Sequence, residues 1–374
     1  MNFELNDEQR MLTDSARRFF EREFPLKRLR EFEVRGWDAF LPVYQQMGEL
    51  GWLGIGVPED AGGAGGSWLD LELFAEEAGR ALVPTLQITS IALAGQALVA
   101  MGTSAQRQHR LAELLAGRRV IAPALLNDSH ASREPTSGLR ATASDGRVVL
   151  DGKLRHVDAF AIAAELLVAA RADDGSVTLH LLDRSADGIS ASETTLTSLE
   201  RRHDVELRGV ACSADATLPG DWGAWLRIAD GAKIIAAGWA VGATRAALER
   251  AVAYAKERYQ FDRPIGSFQA VQHRLADAAI LTEQATAITR FAAWQHGEHG
   301  HHDREAAMAK LVAGRAMRLV SNAAVLTHGG YGFMEEFDIQ LYVRRAKQYE
   351  YLIEDPTLQR ELIAAQDCED GIRI

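Results

Sequence analysis

The spacing of hydrophobic residues changes twice along this chain of 374 residues, and this change constrains the fold more than any other feature. Residues 1–118 and 222–374 carry apolar side chains at the three- and four-residue spacing of helices. The stretch between them, residues 119–221, alternates apolar and polar residues as strands do. The sequence therefore predicts an α+β protein with an N-terminal helical domain, a middle β-domain and a C-terminal helical domain.

The middle segment carries two β-hairpin signals. An Asp-Gly pair at 145–146 divides the β-prone residues 141–152, and an Asp-Asp-Gly turn divides residues 166–183. Such pairs favour the tight turns that connect antiparallel strands. With a further strand expected at residues 205–210, the sequence predicts a β-domain that resembles a barrel or a sandwich.

The flanking segments carry helix-start signals. Asn6 stands where the first helix begins, and Ser67 with Asp70 forms a capping-box pattern after a stretch of Gly and Ala. Ser267 and Asp303 occupy the same kind of position before two C-terminal helices. The C-terminal helices are apolar on more than one face, which predicts a four-helix bundle that also packs against another subunit. These helices are expected at residues 223–257, 268–296, 304–327 and 338–352, with a short one after Pro356.

Charge and composition exclude several classes of protein. Lys and Arg total 41 and Asp and Glu total 52, and the resulting charge of −11 argues against general nucleic-acid binding. Cys212 and Cys368 lie far apart, so neither a disulfide scaffold nor a metal site is predicted. The longest apolar stretch, residues 234–243, is about half a membrane span, and the N-terminus lacks an apolar signal-peptide core. We expect a cytoplasmic protein without a membrane segment.

Three segments carry motifs in a fixed order. Residues 54–67 read GIGVPEDAGGAGGS, residues 258–277 read RYQFDRPIGSFQAVQHRLAD, and residues 326–347 read LTHGGYGFMEEFDIQLYVRRAK. The second resembles the R-x-x-F-G-x-x-I-x-x-F-Q run of the acyl-CoA dehydrogenase family, with Asp262 where glycine is usual. The third resembles the family's Q-x-x-G-G-x-G-Y…R-D-A-K run, with Leu326 where glutamine is usual. The resemblance covers essentially the whole chain.

This resemblance implies an FAD-dependent oxidoreductase that dehydrogenates an acyl-CoA thioester between its α and β carbons. In the family a carboxylate removes the α-proton, the β-hydrogen leaves as hydride to the flavin, and electrons pass to an electron-transfer flavoprotein. Removing a proton beside a thioester requires a placed base and hydrogen bonds to the carbonyl oxygen. Members bind FAD between the β-domain and the C-terminal bundle and are usually tetramers. The resemblance also implies a role in fatty-acid or steroid side-chain β-oxidation.

The resemblance also assigns cofactor-binding residues. Arg258 matches the arginine that meets the FAD pyrophosphate, and its planar, permanently charged guanidinium suits phosphate. In the β-domain, Leu126 and Val157 occupy places where the family lines the flavin. Arg155, His156 and Val157 replace the family pattern there, so the resemblance implies backbone contacts and not side-chain contacts. The other cofactor-binding residues are Gln260 and Phe261 along the nucleotide, Phe268 and Gln269 near the adenine, and Gly329 and Gly330, where the backbone approaches the cofactor of a neighbouring subunit.

The catalytic base departs from the family pattern. Most members carry a glutamate six residues after the lysine of R-D-A-K, and that position here is Ile353. A minority carry it fourteen residues before the Gly-Gly pair, where this chain has Arg315. Glu354 and Asp355 are the nearest carboxylates to the usual position, but a one-residue shift on a helix turns a side chain by about 100°.

Three interpretations follow. In the first, Glu354 or Asp355 is the base of a homo-oligomeric enzyme. In the second, the chain resembles the small subunits of two-chain acyl-CoA dehydrogenases, which act on dicarboxylic, steroid side-chain and similar bulky acyl-CoAs. It would then be a non-catalytic FAD-holding subunit in a heterotetramer whose larger homologous chain supplies the base. In the third, the chain is a flavin monooxygenase or oxidase on the same fold.

Overall fold

The computed structural model describes residues 4–124, 138–144 and 147–369. Helices occupy both ends of the described chain, and none of them has the length and hydrophobicity needed to cross a membrane. Two π-helical stretches, Gln87–Gly95 and Arg107–Leu111, adjoin short α-helices. The α-helices are α1 (Asp7–Glu23), α2 (Leu26–Arg35), α3 (Leu41–Glu49), α4 (Trp68–Arg80), α5 (Gln96–Met101), α6 (Ser104–Gln106), α7 (Ala112–Leu115), α8 (Trp222–Glu257), α9 (Gln269–His299), α10 (Asp303–His328), α11 (Ile339–Glu350) and α12 (Pro356–Glu369).

The two predicted N-terminal helix caps are confirmed. Asn6 Oδ1 accepts a 2.8 Å hydrogen bond from the Gln9 N–H, and Gln9 Oε1 accepts one from the Asn6 N–H. Ser67 Oγ accepts from the Asp70 N–H, and Asp70 Oδ2 accepts from the Ser67 N–H at 2.7 Å. Each pair satisfies backbone donors that have no partner inside the helix.

The two predicted C-terminal caps are wrong by one residue. The residue that precedes α9 is Phe268, and the residue that precedes α10 is His302. The hydroxyl of Ser267 donates instead to the carbonyl of Pro264 at 2.8 Å, because a 3₁₀ turn over Ile265–Ser267 comes before the helix. The five predicted C-terminal helices themselves are all present.

The middle of the described chain forms one mixed sheet with the order β6-β7-β3-β2-β4-β5-β8, and β1 also pairs with β4. Both predicted hairpins are confirmed as antiparallel pairs, β2 with β3 and β4 with β5. The turn residues 145–146 of the first lie outside the described residues. The strands are β1 (Ile121–Ala124), β2 (Leu139–Ser144), β3 (Arg147–Val157), β4 (Glu165–Ala172), β5 (Val177–Asp183), β6 (Ile189–Thr195), β7 (Arg201–Cys212) and β8 (Thr217–Leu218).

The chain divides into two compact units. We call Met1–Arg30, Ser67–Val83 and Lys233–Ile374 the helical unit, and Glu31–Gly66 and Pro84–Ala232 the β unit. The predicted domain boundaries after residues 118 and 221 stay a prediction, because the units are built from alternating stretches of the chain. The helical unit therefore combines residues from both ends of the sequence.

In the helical unit, α4 and α8 touch backbone to backbone. A Cβ added at Gly79 would lie 1.8 Å from the carbonyl oxygen of Trp239, and one at Gly242 would lie 1.8 Å from that of Glu76. Only glycine permits such an approach. The Trp239 indole N–H also donates to the carbonyl of Val83 at 3.0 Å. These contacts join the N-terminal helix α4 to the C-terminal bundle.

Candidate functional site

The segment after α8 forms a tight hairpin between β9 (Tyr259–Gln260) and β10 (Arg263–Pro264). Its turn residues, Phe261 and Asp262, have φ angles of 52° and 62°. Two successive left-handed residues give the turn whose twist matches that of the flanking strands. Aspartate tolerates this conformation, which accounts for Asp262 at a position where the family usually has glycine. The turn leaves the Phe261 side chain 85% exposed.

Arg258 brings the second motif to the third. Its guanidinium lies over the ring of Tyr331, 5.6 Å from the centroid. Tyr331 follows Gly329 and Gly330, and Gly329 ends α10 with φ 63° and ψ −136°, a conformation essentially restricted to glycine. A Cβ added at either glycine would meet no atom within 4 Å. The glycines therefore combine a helix-ending role with an open stretch of backbone beside the arginine.

These groups fit an anionic diphosphate such as that of FAD. Within the described residues Arg258 makes no ion pair, so its charge is available to a ligand. The open backbone at the glycine pair permits close approach of a phosphate-bearing group. The other predicted residues of this segment are Gln260, Phe261 and Gln269, which are exposed, and Phe268, which is half-buried.

The β unit carries the remaining predicted flavin residues. Leu126 lies outside the described residues. Val157 ends β3, is 2% exposed and pairs with His203 of β7. Val157 is thus a buried residue of the β unit.

Glu354 lies in the loop between α11 and α12, where it forms an ion pair with Lys233 of α8. The Lys233 side chain is fully buried, and that of Glu354 is 11% exposed. Gln359 Nε2 donates a further 2.7 Å hydrogen bond to Glu354 Oε2. Ile353, at the family's base position, has φ 73°, an outlier for a β-branched residue. The carboxylate nearest to the family's position is thus neutralised by a buried ammonium.

Asp355 has a different structural role. Its Oδ1 accepts hydrogen bonds from the N–H groups of Thr357 at 2.7 Å and Leu358 at 3.0 Å. Pro356, which has no N–H to satisfy, is the first residue of α12. Asp355 therefore caps α12.

A second buried lysine holds the start of the same loop. Lys310 of α10 donates from Nζ to the carbonyls of Tyr349 at 3.1 Å and Glu350 at 3.4 Å, and lies 4.3 Å from the Tyr349 ring centroid. Burial and the nearby charge of Lys233 lower the pKa of Lys310 to about 7, against the opposing effect of Glu354. Lysine side chains from α8 and α10 thus hold the loop at two points.

Sequence reasoning missed both lysines. Lys233 stands directly before the apolar residues 234–243, and Lys310 lies among alanines in α10. A lysine inside an apolar helical stretch is a signal of a buried, paired charge, because unpaired lysines are almost never fully buried. That signal identifies a buried cation but not the carboxylate that it meets.

Two family profiles match the chain. One, described as the acyl-CoA dehydrogenase N-terminal domain, covers residues 6–118, and one described as the C-terminal domain covers residues 225–366. The chain is 31% identical to the probable acyl-CoA dehydrogenase YngJ of Bacillus subtilis over 98% of this chain and 99% of that protein. The chain belongs to the acyl-CoA dehydrogenase family.

Solved structures agree with this membership. A variant of the Tcur3481–Tcur3483 steroid ACAD is similar with a TM-score of 0.87 and 28% identity, over 98% of this chain and 99% of that chain. Butyryl-CoA dehydrogenase from Megasphaera elsdenii is similar with a TM-score of 0.90 and 25% identity over the same shares of the two chains. This acyl-CoA dehydrogenase is an FAD-dependent oxidoreductase that acts on acyl-CoA thioesters.

Proposed function

We propose that this chain is the FAD-holding subunit of a two-chain acyl-CoA dehydrogenase whose larger homologous chain supplies the catalytic base. The proposal rests on one observation: both carboxylates near the family's base position already have structural partners. Glu354 is paired with buried Lys233, and Asp355 caps α12. Ile353, which stands at that position, has no titratable group.

A paired carboxylate is a poor choice of base. Glu354 is already engaged by the ammonium of Lys233 and the amide of Gln359. Movement of Glu354 towards a substrate would separate it from Lys233, and breaking a buried ion pair is strongly destabilising. Gln359 holds the same oxygen. Glu354 therefore serves best as a fixed anion that orders the loop.

The chain's own residues supply the cofactor contacts in this proposal. FAD, when bound, accepts the electrons of the dehydrogenation. Arg258 neutralises its diphosphate, and the glycine pair lets the backbone approach it. The backbone of Val157 is a further proposed contact of the flavin. The remaining residues proposed for FAD are Gln260, Phe261, Phe268, Gln269 and Leu126.

Exposed apolar side chains of the helical unit support a partner chain. Phe261 is 85% exposed, Phe333 76% and Leu326 58%, and all three lie within the second and third motifs. Large apolar groups left exposed to this extent favour an interaction surface. We propose that the larger chain covers them in a cytoplasmic heterotetramer, and that an electron-transfer flavoprotein takes the electrons. Similarity to a steroid ACAD supports a bulky acyl-CoA, such as a steroid side-chain thioester, as substrate.

One observation favours a second candidate, in which Glu354 is itself the base of a homo-oligomer. The positive φ of Ile353 reverses the direction of the backbone just before Glu354. Such a reversal is what a base shifted by one residue requires in order to point where the family's glutamate points.

Purification of the chain alone and together with its larger homologue separates the two candidates. The proposal expects a yellow protein that reduces no dye with steroid side-chain acyl-CoA alone and becomes active with the second chain. In that active pair, Glu354→Gln keeps its turnover per bound flavin. If the chain is active alone and Glu354→Gln lowers its rate by about 10²-fold or more, Glu354 is the base. Glu350→Gln is the matched control, because Glu350 is a similarly buried glutamate that pairs with Arg318 and Lys347.

A further inference from the structure

The end of β3 contains a β-bulge opposite one residue of β7. Leu154 lies opposite Val205, and Val157 lies opposite His203. Two residues of β3, 155 and 156, therefore face the single residue Asp204. A bulge leaves the extra residue without a partner in the ladder and bends the strand.

Asp204 bonds both of the bulged residues. Its Oδ2 forms a 2.6 Å ion pair with the guanidinium of Arg155, and its Oδ1 accepts a 3.0 Å hydrogen bond from the N–H of His156. Burial alone would raise the pKa of Asp204, but the bonds from His156 and Arg155 hold it below its usual value. The Asp204 side chain thus satisfies the backbone donor that the bulge releases from the ladder.

Arg202 lies two residues before Asp204 on β7, and residues two apart on a strand point to the same face. Arg202 contacts the chain just after the bulge. Its side chain is 6% exposed and pairs with the buried carboxylate of Asp158 and, at 3.4 Å, with Glu200. Thr89 Oγ1 donates to Asp158 Oδ2 at 3.4 Å. Burial lowers the pKa of Arg202 to about 10. Well-packed apolar residues often replace a buried ion pair without loss of stability. The Arg202–Asp158 pair therefore points to a requirement for a fixed backbone geometry and not for stability.

The backbone between these two anchors is strained. His156 has φ 52° and Ala159 has φ 54°, both in the left-handed region that residues with a Cβ avoid. Such conformations persist only where the surroundings enforce them, and they concentrate at sites of function. Two charged residues of one strand contact this segment: Asp204 at the N–H of His156, and Arg202 at Asp158, the neighbour of Ala159.

We propose that Arg202 and Asp204 are positioning residues for the flavin, which hold the backbone of residues 155–159 in the shape that meets the cofactor. The inference rests on the proposed contact between the Val157 backbone and the flavin. Neither residue touches the cofactor in this proposal, and both act through the bulge. The reaction itself gains no new catalytic group.

The test measures cofactor binding and not activity. Titration of the apoprotein with FAD gives Kd, and the visible spectrum and reduction potential of the bound flavin report its environment. Arg202→Lys is the decisive variant, because it keeps the neutralising charge but loses the planar fork that grips a carboxylate. We expect it to raise the Kd of FAD about tenfold and to shift the flavin potential. Asp204→Asn, which keeps its carbonyl acceptor but loses its charge, should have a smaller effect of the same kind.

Two controls separate this inference from the assignments it rests on. Arg208→Met removes an exposed arginine of the same strand, β7, that pairs with Glu206. It should leave the Kd of FAD unchanged. Arg258→Ala should weaken FAD binding through loss of the diphosphate contact. If Arg202→Lys has the wild-type thermal midpoint, Kd and potential while Arg258→Ala weakens binding, the inference is wrong. If Arg258→Ala also binds FAD normally, the proposed FAD site itself is wrong.

Discussion

The loop at residues 351–355 and the segment at residues 155–159, which begins with the bulge, are held by the same means and to different effect. Each lies where the chain departs from the family pattern, and each is held by charged residues remote in sequence. In the loop, Lys233 pairs with Glu354, the carboxylate nearest to the family's base position. In the bulge, Arg202 and Asp204 hold the backbone and its flanking side chains. In the loop the buried charge engages a side chain, whereas in the bulge the charged residues hold the backbone.

Both arrangements carry the same physical cost. The Lys233 side chain is fully buried and that of Arg202 is 6% exposed, so each cation has lost its water. Such desolvation is offset only when geometry is good and every partner stays in place. The unfolding free energy should therefore fall strongly when one partner of either pair is lost, and should change little when residues outside the pairs are replaced.

The largest expected effect is on the loop. Lys233→Met leaves Glu354 without its ammonium, and removing one partner of a buried pair costs about 3–5 kcal/mol of unfolding free energy. The double variant Lys233→Met/Glu354→Gln removes both charges and should recover most of this loss. Urea unfolding of the three proteins measures the effect.

Lys347→Met is the control for this prediction. Lys347, whose side chain is 60% exposed, pairs with Glu350 near the same loop, and a pair with such an exposed partner contributes about 0–1 kcal/mol. Equal stabilities of Lys233→Met and wild type would show that the buried pair does not hold the loop, and the comparison with the bulge would fail.

A third carboxyl group, Glu72 of α4, sharpens the comparison because it forms no ion pair with any described residue. It is fully buried, neither oxygen has a hydrogen-bond partner, and burial, followed by the charge of Glu76, raises its pKa to about 8. Between pH 4.5 and about 8 the folded chain keeps a proton that the unfolded chain has lost. The unfolding free energy therefore falls as the pH rises through this range.

Glu72→Gln should remove that part of the pH dependence, since an amide does not titrate. Urea midpoints of variant and wild type across the range measure the difference in slope. Glu21→Gln, at an exposed position of α1, should keep the wild-type slope. A Glu72→Gln protein with an unchanged slope would mean that Glu72 is ionised in the folded chain.

The smallest effect is expected at Asp355, the neighbour of the paired carboxylate. Asp355→Ala removes the cap of α12 and should cost about 0.5–2 kcal/mol, typical of an N-cap. Asp355→Asn keeps an oxygen acceptor and should cost much less. Turnover per bound flavin, measured in the two-chain enzyme, should be unchanged in both variants. A rate that falls in Asp355→Asn while stability is kept would give Asp355 a part in the chemistry.

Features that depend on neighbours in sequence were predictable. The caps at Asn6 and Ser67 formed as predicted, because each needs only its own residue and one three positions later. The cap expected at Ser267 failed, because a 3₁₀ turn before α9 engages its hydroxyl. The cap predicted at Asp303 was wrong by a single position, which is the usual uncertainty at the end of a helix.

The amino-acid sequence by itself determined the order of helices and strands, the family motifs and the presence of Ile353 at the family's base position. These follow from local periodicity and spacing. Only the tertiary structure decided that Lys233 meets Glu354 and that Arg202 and Asp204 stand behind the bulge. The reason is physical: the charge state and role of a side chain depend on burial and on partners that the fold brings from distant parts of the chain.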